Sequence, residues 1–344
     1  MKHVFNRSIY VYICFLLLIV LLVGTVSYVR NRQKPHMKCQ LESKAMKKLY
    51  EKHGIQYNII DGRTVLTKKS ENKSLVLCKL NSTNSKKLSS SKIETQKRFS
   101  HANIPVCKFL VWDNSKSTRD NILKIRNKLQ FPLVVKYSNG SMGTSVYTNI
   151  YNDRLMERVI KKLKNENKHD IIIEEQQLGD RYRIYIFNNE IIFIQRFSSP
   201  VIIGNGRSTV AQLIRDYPKN AYNPTKYKLN PISHIEEHLI QKQGYEMDSI
   251  LESNTKINVT GIVTYSNGAI MENIPISTVP QSNIDMFLHI NQISGLTVNG
   301  IDFISEDIRV PYSGKVLETN QSPSYNPDHQ TPEINKHLLE AMFR

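Results

Sequence analysis

The chain has 344 residues, of which 40% are hydrophobic and 22% are charged. This balance excludes a disordered or collagen-like chain and is typical of a globular protein with one large domain or two smaller ones. The formal net charge is +17, and residues 30–98 carry most of it, with 18 Lys and Arg against 5 Asp and Glu, a local charge of +13. A basic region beside an apolar segment suits an anionic membrane surface better than nucleic acid, so no nucleic-acid partner is expected.

The chain begins with an apolar segment. Residues 8–29 contain no charged side chain, and as a helix they would span roughly 33 Å, enough to cross a bilayer core of about 30 Å. A signal peptide is the alternative, but its apolar core is usually about 7–15 residues long. We predict a short tail at residues 1–8, a transmembrane helix at 9–29 and a basic stalk at 30–39.

Charges next to this segment predict the side of the membrane on which the rest of the chain lies. Four Lys and Arg residues follow the segment within 30–38, and the positive-inside rule places them in the cytoplasm. Sequons at 139–141 and 320–322 agree with this location, because both fall in loops assigned below to the functional site, where a glycan would block it. We therefore predict a single-pass membrane protein whose large C-terminal part is cytoplasmic. The cysteines show no metal-binding spacing and are expected to be reduced thiols: Cys14, Cys39, Cys78 and Cys107.

Residues 40–91 form the next region of the chain. The pattern predicts a helix at 40–53, then strands at 55–60 and 74–80 with a turn at 61–62 between them. Residues 81–91 are polar and serine-rich, and they predict a loop that ends this region. The region is small for an independent domain.

From residue 92 onward, strands and helices alternate. We predict one α+β domain with antiparallel sheets at residues 92–344. The predicted strands are 107–112, 131–138, 146–150, 170–177, 182–189, 190–198, 299–306 and 314–320. The predicted helices are 92–102, 117–129, 152–168, 207–216, 233–243, 283–295 and 331–343.

A lysine and two glycines close one of the apolar strands. Lys136 ends the run FPLVV and is followed by Gly140 and Gly143. This pattern suits phosphate binding, because glycines let backbone amides approach an anion and the ammonium adds a charge. An ordinary hairpin turn is the alternative.

Two arginines follow a pair of carboxylates. In IIIEEQQLGDRYR an apolar strand ends at Glu174 and Glu175, and the next strand carries Arg183. The strand after that carries Arg196. Simple pairing of these arginines with the two glutamates is the alternative to a functional role.

Three oxygen-bearing side chains lie on the last two predicted strands. Asp302 stands between apolar residues in GIDFI, and Glu318 and Asn320 are two residues apart in VLETN. Because residues i and i+2 of a strand share a face, the three converge if these strands pair as a hairpin. Such ligands suit Mg²⁺, which takes one or two carboxylates together with substrate phosphates. A polar edge strand that runs into a turn is the alternative.

Together these motifs resemble the ATP-grasp superfamily, and within it the ATP-grasp region of cyanophycin synthetases and fused glutathione synthetases. The resemblance spans residues 40–330 or so. It rests on SSSKIETQKRFSHANIPV, on FPLVVKYSNGSMGTSVYTNI, on the stretch from IIIEEQQLGDRYR to STVAQLI, and on NGIDFI followed by VLETNQSPSYNPDH.

The resemblance implies an ATP-grasp fold, in which two α+β subdomains with antiparallel sheets grip ATP. It implies that Lys92 and Lys136 contact the nucleotide phosphates. It also implies a phosphate lid of Gly140, Ser141, Met142 and Gly143, an adenine hinge of Glu174, Glu175, Gln176, Gln177 and Leu178, catalytic Arg183 and Arg196 near the γ-phosphate, and the Mg²⁺ ligands Asp302, Glu318 and Asn320, with Mn²⁺ as an alternative metal.

The chain departs from the family pattern at several positions. Where the family has an acidic residue near the ribose hydroxyls, this chain has Arg181, and Asp180 is the candidate substitute. Ser145 replaces the third glycine of the lid, and Tyr137 replaces the proline after Lys136. The three metal positions are unaffected, so the departures favour an altered substrate over an inactive site.

The activity that the resemblance implies is that of an Mg-ATP-dependent carboxylate–amine ligase. A carboxylate would be phosphorylated to an acyl phosphate, which an amine attacks to form an amide; the expected substrates are amino acids or peptides. Two alternatives stay open, a kinase on the same fold and a catalytically silent, membrane-tethered nucleotide-binding scaffold. A homodimer is a further expectation.

Overall fold

The structure of the chain is a computed structural model. It describes residues 40–77, 80–140, 143–217, 229, 231–264 and 267–344. The predicted tail, transmembrane helix and stalk lie outside the described residues. Within the described ranges, none of the helices has both the length and the apolar character needed to cross a bilayer. The transmembrane helix at 9–29 therefore stays a prediction.

The strands of the described residues form antiparallel sheets. Their bounds are β1 (Ile55–Ile60), β2 (Arg63–Lys68), β3 (Lys73–Val76), β4 (Phe109–Val111), β5 (Leu133–Tyr137), β6 (Val146–Ile150), β7 (Ile171–Glu175), β8 (Asp180–Phe187), β9 (Glu190–Ser198), β10 (Val201–Ile203), β11 (Lys256–Asn258), β12 (Ile270–Ile274), β13 (Val298–Ser305) and β14 (Gly314–Asn320). The sheet orders are β1-β2-β3, β4-β7-β5-β6, β12-β9-β8-β13-β14 and β10-β11.

Helices connect and cover these sheets. They are α1 (Lys44–Lys52), α2 (Thr83–Ser90), α3 (Lys92–His101), α4 (Thr118–Lys128), α5 (Asp153–Asn165), α6 (Val210–Asp216), α7 (His234–Lys242), α8 (Gln281–Ser294) and α9 (Pro332–Phe343). Every one of these except α8 begins at a Ser, Thr or Asn whose side chain accepts a backbone N–H of the first turn. Such caps satisfy N–H groups that have no partner inside the helix, which fixes where the helices begin. The predicted α+β class with antiparallel sheets is confirmed.

The four-stranded sheet packs against α4 and α5. The buried face of α5 carries Met156, Val159, Ile160 and Leu163, and these side chains join Leu133 and the other apolar residues of β5 and β7 in one cluster. The other face of this sheet is left to form one wall of a cleft.

The five-stranded sheet is covered on both faces. On one face, α3 and α8 pack through Phe99 and Phe287 against Ile184, Ile301 and Phe303 of the sheet. On the other face, α1, the sheet β1-β2-β3 and α9 share a second apolar cluster with β8 and β9. The described N-terminal residues therefore have no core separate from that of the large sheet.

Three details differ from the sequence predictions. The turn at 61–62 joins β1 to β2, a strand that we did not predict, and β3 follows only after it. The predicted loop at 81–91 contains α2, whose serine-rich sequence has the composition of a loop but is capped by Ser82 and packs beside α3. The short strands β10, β11 and β12 were also missed, because three to five residues give too little periodicity to recognise.

Candidate active site

A cleft of about 440 Å³ lies between the four-stranded and the five-stranded sheets. Residues of β5, β6 and β7 line one wall, residues of β8, β13 and β14 line the other, and residues of the segment 258–264 also line the cleft. Most of the predicted site residues line it: Lys92, Lys136, Gly143, Glu174, Glu175, Gln176, Gln177, Leu178, Asp302 and Glu318.

The predicted metal ligands converge because β13 and β14 pair as an antiparallel hairpin. Asp302 lies opposite Glu318, and Gly300 lies opposite Asn320. The pairing shifts by one residue after Asp302, so that Leu317 is an extra residue on β14. Because of this β-bulge, the neighbouring residues Leu317 and Glu318 both line the cleft, although neighbours in a regular strand point to opposite faces. The expected convergence of these side chains is confirmed.

Asp302 is buried and is held by two guanidinium groups. Arg183 Nε lies 2.5 Å from Asp302 Oδ1, and Arg181 Nη1 donates to Oδ2 at 3.1 Å. The amide nitrogen of Asn320 is 3.5 Å from the same Oδ2. Burial alone would raise the pKa of Asp302, but Arg183 and Arg181 hold it below the ordinary value. The carboxylate is thus ionised and already has counterions.

Glu318 and the lid are connected through Lys92. The first turn of α3 lies against the end of β5, where Lys92 donates its backbone N–H to the carbonyl of Ser138 at 3.2 Å. The ammonium group then reaches Glu318 Oε2 at 2.9 Å and the carbonyl of Gly140 at 2.5 Å. One lysine therefore connects β14, the strand of the predicted metal ligands Glu318 and Asn320, with the predicted phosphate lid.

Lys136 and Glu174 form a buried ion pair on β5 and β7, with Nζ and Oε2 2.5 Å apart. Burial acts to lower the pKa of Lys136, but Glu174 holds it above the ordinary value. Cys107 lies beside this pair, and burial together with Glu174 raises its pKa to about 12. Glu174 Oε1 is buried without a hydrogen-bond partner, so the cleft offers one unused acceptor.

The sequence left open that Arg183 and Arg196 simply pair with Glu174 and Glu175. This alternative is wrong. Arg183 pairs with Asp302 rather than with Glu174 or Glu175. Glu174 uses Lys136, and Glu175 lies 3.6 Å from Lys108.

The predicted hinge lies between β7 of the four-stranded sheet and β8 of the five-stranded sheet, and so connects the two sheets. Gln176 is held by Asn149, with its Oε1 accepting the backbone N–H at 2.6 Å and its Nε2 donating to Oδ1 at 3.0 Å. Glu175 accepts the backbone N–H of Gln130 at 3.0 Å. Because these side chains already have partners, a base bound here would rely on the hinge backbone and on Glu174.

The predicted lid follows β5, and its Ser141 and Met142 lie outside the described residues. A Cβ built at Gly143 would lie 3.3 Å from Thr264 and 3.5 Å from Ile262, so Gly143 lies close to the segment 258–264. Ser145, which replaces a family glycine, has a left-handed backbone with φ of 60°. This conformation explains why glycine suits the position.

Arg196 and Asp180 lie on the face of the five-stranded sheet that is opposite the cleft. Arg196 Nε is 3.7 Å from Asp180 Oδ2, and Arg196 also pairs with Glu272. Neither residue is among the described side chains that line the cleft. The expected positions of Arg196 near the γ-phosphate and of Asp180 near the ribose are therefore corrected.

A β-bulge explains the position of Arg196. In the β8–β9 hairpin the pairing skips Ile192, so Arg183 lies opposite Gln195 and Tyr182 lies opposite Arg196. Without this extra residue, Arg196 would be opposite Arg181 and would face the cleft. Because side chains alternate along a strand, one inserted residue moves all those that follow to the other face.

Polar side chains form one row across the cleft face of the five-stranded sheet. Successive cross-strand pairs join Asn273 to Gln195, Gln195 to Arg183, Arg183 to Asp302 and Asp302 to Glu318. Gln195 Nε2 donates to Asn273 Oδ1 at 3.2 Å. Asp302 and Glu318 of this row line the cleft, whereas Gln195 is buried, with 9% of its surface exposed.

These residues fit Mg²⁺ and ATP. Two carboxylates and an amide at one point match the oxygen ligands that Mg²⁺ takes together with phosphates. Within the described ranges, no group of three or more His, Cys, Asp or Glu side chains is placed to hold a metal ion. The apolar walls at Val134, Ile304 and Leu317 and the unused Glu174 acceptor suit a purine base.

Sequence reasoning missed part of the cleft. Arg181 was noted only as a departure from the family, although it contacts Asp302. Cys107 and the segment 258–264 also line the cleft. Their short, mixed sequences carry no motif that would have found them.

The comparisons with known proteins agree with this geometry. Residues 83–200 match the family model described as the RimK-like ATP-grasp domain. The cyanophycin synthetase of Geminocystis herdmanii is 23% identical over 247 residues, which cover 69% of this chain and 28% of that protein. The bifunctional glutathione biosynthesis protein GshAB of Streptococcus mutans is 25% identical over 246 residues, covering 68% of this chain and 32% of that protein. The chain thus matches about a third or less of the length of these relatives.

Solved structures show the same fold. A bifunctional glutathione synthetase from Pasteurella multocida superimposes with a TM-score of 0.54 at 17% identity, covering 87% of this chain and 44% of that one. The ATP-grasp fold expected from the sequence is confirmed. The chain has an ATP-grasp fold, and its residues 83–200 are similar to the RimK-like ATP-grasp domain.

Proposed function

We propose that the chain is an Mg-ATP-dependent carboxylate–amine ligase. The observation that carries this proposal is the convergence of Asp302, Glu318 and Asn320 beside Lys92 and Lys136 in the cleft between two antiparallel sheets. The cyanophycin synthetases and glutathione biosynthesis proteins that it resembles support the same class.

The first step is phosphoryl transfer to a carboxylate. A carboxylate oxygen of the substrate attacks the γ-phosphorus of ATP, the bond to the β,γ-bridging oxygen breaks, and ADP leaves. Lys92 and Lys136 hold the phosphates, and Arg183 offsets the negative charge that gathers beside Asp302. Mg²⁺ held by Asp302, Glu318 and Asn320 would neutralise developing charge on the phosphate oxygens.

The second step forms the amide bond. The nitrogen of an amine attacks the acyl carbon, the C–O bond to the phosphate breaks, inorganic phosphate leaves, and the amine loses a proton. The apolar walls of the cleft and the lid keep water away from the acyl phosphate. Chemistry of this kind depends on positioning and charge, and it needs no protein nucleophile.

The polar row is the candidate path for the substrates. It leads from Asp302 over Gln195 to Asn273, whose Nδ2 donates to Gln330 Oε1 at 3.2 Å. Amide side chains offer both donors and acceptors, which match the groups of an amino acid or a peptide. The substrates we propose are therefore small carboxylates and amines of the amino-acid or peptide class.

The chain is also proposed to be anchored by residues 9–29, with the cleft on the cytoplasmic side. The apolar segment and the basic residues after it support this location. In intact cells, a membrane-impermeant maleimide should leave Cys39 unmodified until the membrane is permeabilised. Equal labelling of Cys39 before and after permeabilisation would contradict the cytoplasmic location.

The test of the activity uses the full chain in detergent with Mg-ATP, a panel of amino acids and short peptides, and hydroxylamine. Hydroxylamine traps an acyl phosphate as a hydroxamate. We expect carboxylate-dependent ADP and hydroxamate, with both lost in Glu318→Gln and unchanged in the control Glu340→Gln on the exposed face of α9. ADP that forms without hydroxamate would sink the ligase proposal and favour a kinase.

A further inference from the structure

Arg181 is a third cationic side chain that lines the cleft, beside Lys92 and Lys136. Its Nη1 lies 3.1 Å from Asp302 Oδ2, and its guanidinium group lies 4.4 Å from the centre of the Phe197 ring. The side chain is 16% exposed and lines the cleft. The aromatic ring and the carboxylate together hold the guanidinium in one place.

Arg181 has bonding capacity that the protein does not use. Its Nε is buried and has no hydrogen-bond partner. Leaving a buried donor of a charged group without a partner is unfavourable. The guanidinium group is therefore prepared for a further acceptor in the cleft, and an anionic oxygen is the acceptor that it binds most strongly.

Asp302 has two arginine counterions, and Glu318 lies beside them as a second carboxylate. Arg183 already donates to both oxygens of Asp302, at 2.5 and 3.2 Å. Arg181 adds a second positive charge at the oxygen that faces Asn320. A divalent cation placed on this carboxylate would be repelled by Arg181 and would compete with it for Oδ2.

We propose that Arg181 is an internal counterion that occupies Asp302 until nucleotide binds, and that it then exchanges Asp302 for an anionic oxygen of the nucleotide. This inference rests on the proposed function, because it assigns Asp302 to a metal site next to bound ATP. It follows that a divalent metal binds poorly to the protein alone and binds well only with nucleotide. Arg181 is on this account a positioning residue that makes metal and nucleotide binding depend on each other.

The experiment measures Mn²⁺ binding to the nucleotide-free full chain in detergent, with free Mn²⁺ followed by electron paramagnetic resonance. Arg181→Gln removes the charge, and we expect it to bind Mn²⁺ at least about tenfold more tightly than the unsubstituted chain. Arg181→Lys keeps the charge and should bind Mn²⁺ as weakly as the unsubstituted chain. Arg309→Gln, at an exposed ion pair with Asp307, is the matched control and should change nothing.

A second substitution identifies the site that is released. Adding Asp302→Asn to Arg181→Gln should abolish the gain in Mn²⁺ affinity. If Arg181→Gln perturbs the far-UV circular dichroism spectrum, Arg181→Met takes its place, because methionine keeps an apolar stem over Phe197. Superimposable Mn²⁺ isotherms for the unsubstituted chain and a folded, uncharged variant would overturn the proposal.

ATP binding measured on the same preparation separates this inference from the proposed function. Without metal, Arg181→Gln should bind ATP at least about tenfold more weakly, since a cation that meets the phosphates is lost. Absence of any Mg-ATP binding by the unsubstituted chain would overturn the proposed function. The Mn²⁺ result would still decide whether Arg181 blocks Asp302.

Discussion

At the scale of single residues, three carboxylates that line the cleft each form an ion pair with at least one cationic side chain. Asp302 has Arg181 and Arg183, Glu318 has Lys92, and Glu174 has Lys136. Burying charges without partners would cost several kcal/mol for each ion, so the fold requires this pairing before any ligand arrives. A bound nucleotide must therefore exchange some of these pairs rather than fill an uncharged space.

Cys107 gives a prediction at this scale. Because burial and Glu174 raise its pKa to about 12, almost none of the thiol is ionised at pH 8, and only the thiolate is nucleophilic. Iodoacetamide at pH 8 should modify Cys107 at least about 100-fold more slowly in the folded chain than in the unfolded chain. Peptide mass mapping after timed quenching measures both rates, and similar rates would contradict the burial of this thiol.

At the scale of elements, the site depends on how closely β13 approaches its neighbours. A Cβ at Gly300 would lie 2.6 Å from the Cβ of Pro323 and 3.0 Å from Cδ of Arg183. The absence of a side chain at Gly300 therefore leaves the space that the side chain of Arg183 uses to reach Asp302. The strand and the loop after β14 cannot both keep their positions if a methyl group is added there.

Gly300→Ala should thus affect both stability and the site. We expect a loss of about 1–3 kcal/mol in the free energy of unfolding, the usual cost of overpacking, and weaker ATP binding because Arg183 is displaced from Asp302. Urea unfolding and titration with a fluorescent ATP analogue measure the two effects. Gly54→Ala is the control, because its Cβ meets nothing within 4 Å; its left-handed backbone should cost about 1 kcal/mol, with ATP binding unchanged. Identical ATP binding by both variants would be evidence against this role of Gly300.

The sequence was sufficient to predict that Glu318 lies beside Asp302, but not to predict the face on which Arg196 lies. The period of two along VLETN, together with the hairpin of β13 and β14, was enough to bring Glu318 to Asp302. For Arg196 the same reasoning failed, because the bulge at Ile192 lies within the uniformly apolar run IIFI, where no residue marks the change of register. Apolar periodicity thus identifies strands, whereas the face on which a residue lies also depends on bulges that only packing determines.

At the scale of the whole molecule, the first described strands, the C-terminal helix α9 and the large sheet pack together. Glu190, at the start of β9, accepts from His337 Nε2 on α9 and from Arg344 Nη1 at the C-terminus, both at 2.7 Å. The N-terminal strands share the apolar cluster that α9 enters. The predicted boundary between residues 40–91 and 92–344 therefore does not coincide with separate cores, because the two regions share this cluster.

Glu190→Gln tests this attachment through its pH dependence. Burial acts to raise the pKa of Glu190, but His337 and Arg344 hold it below the ordinary value. A carboxylate with a lowered pKa stabilises the fold above its unfolded pKa, and this contribution is lost as pH falls through the folded pKa. Because the group is partly exposed, the variant should lose about 1 kcal/mol at pH 7, and the difference should be smaller at pH 3.5. Urea unfolding at both pH values checks this, with Glu340→Gln as control; a loss that is equal at both would contradict it.

We propose that Mg-ATP binds in the cleft at Asp302, Glu318 and Asn320. The measurement is a calorimetric titration of the full chain with ATP in the presence of Mg²⁺, with Asp302→Asn beside Arg309→Gln. We expect one ATP per chain, binding at least about tenfold weaker in Asp302→Asn, and no change in Arg309→Gln. No ATP binding by the unsubstituted chain, or equal binding by Asp302→Asn, would contradict it.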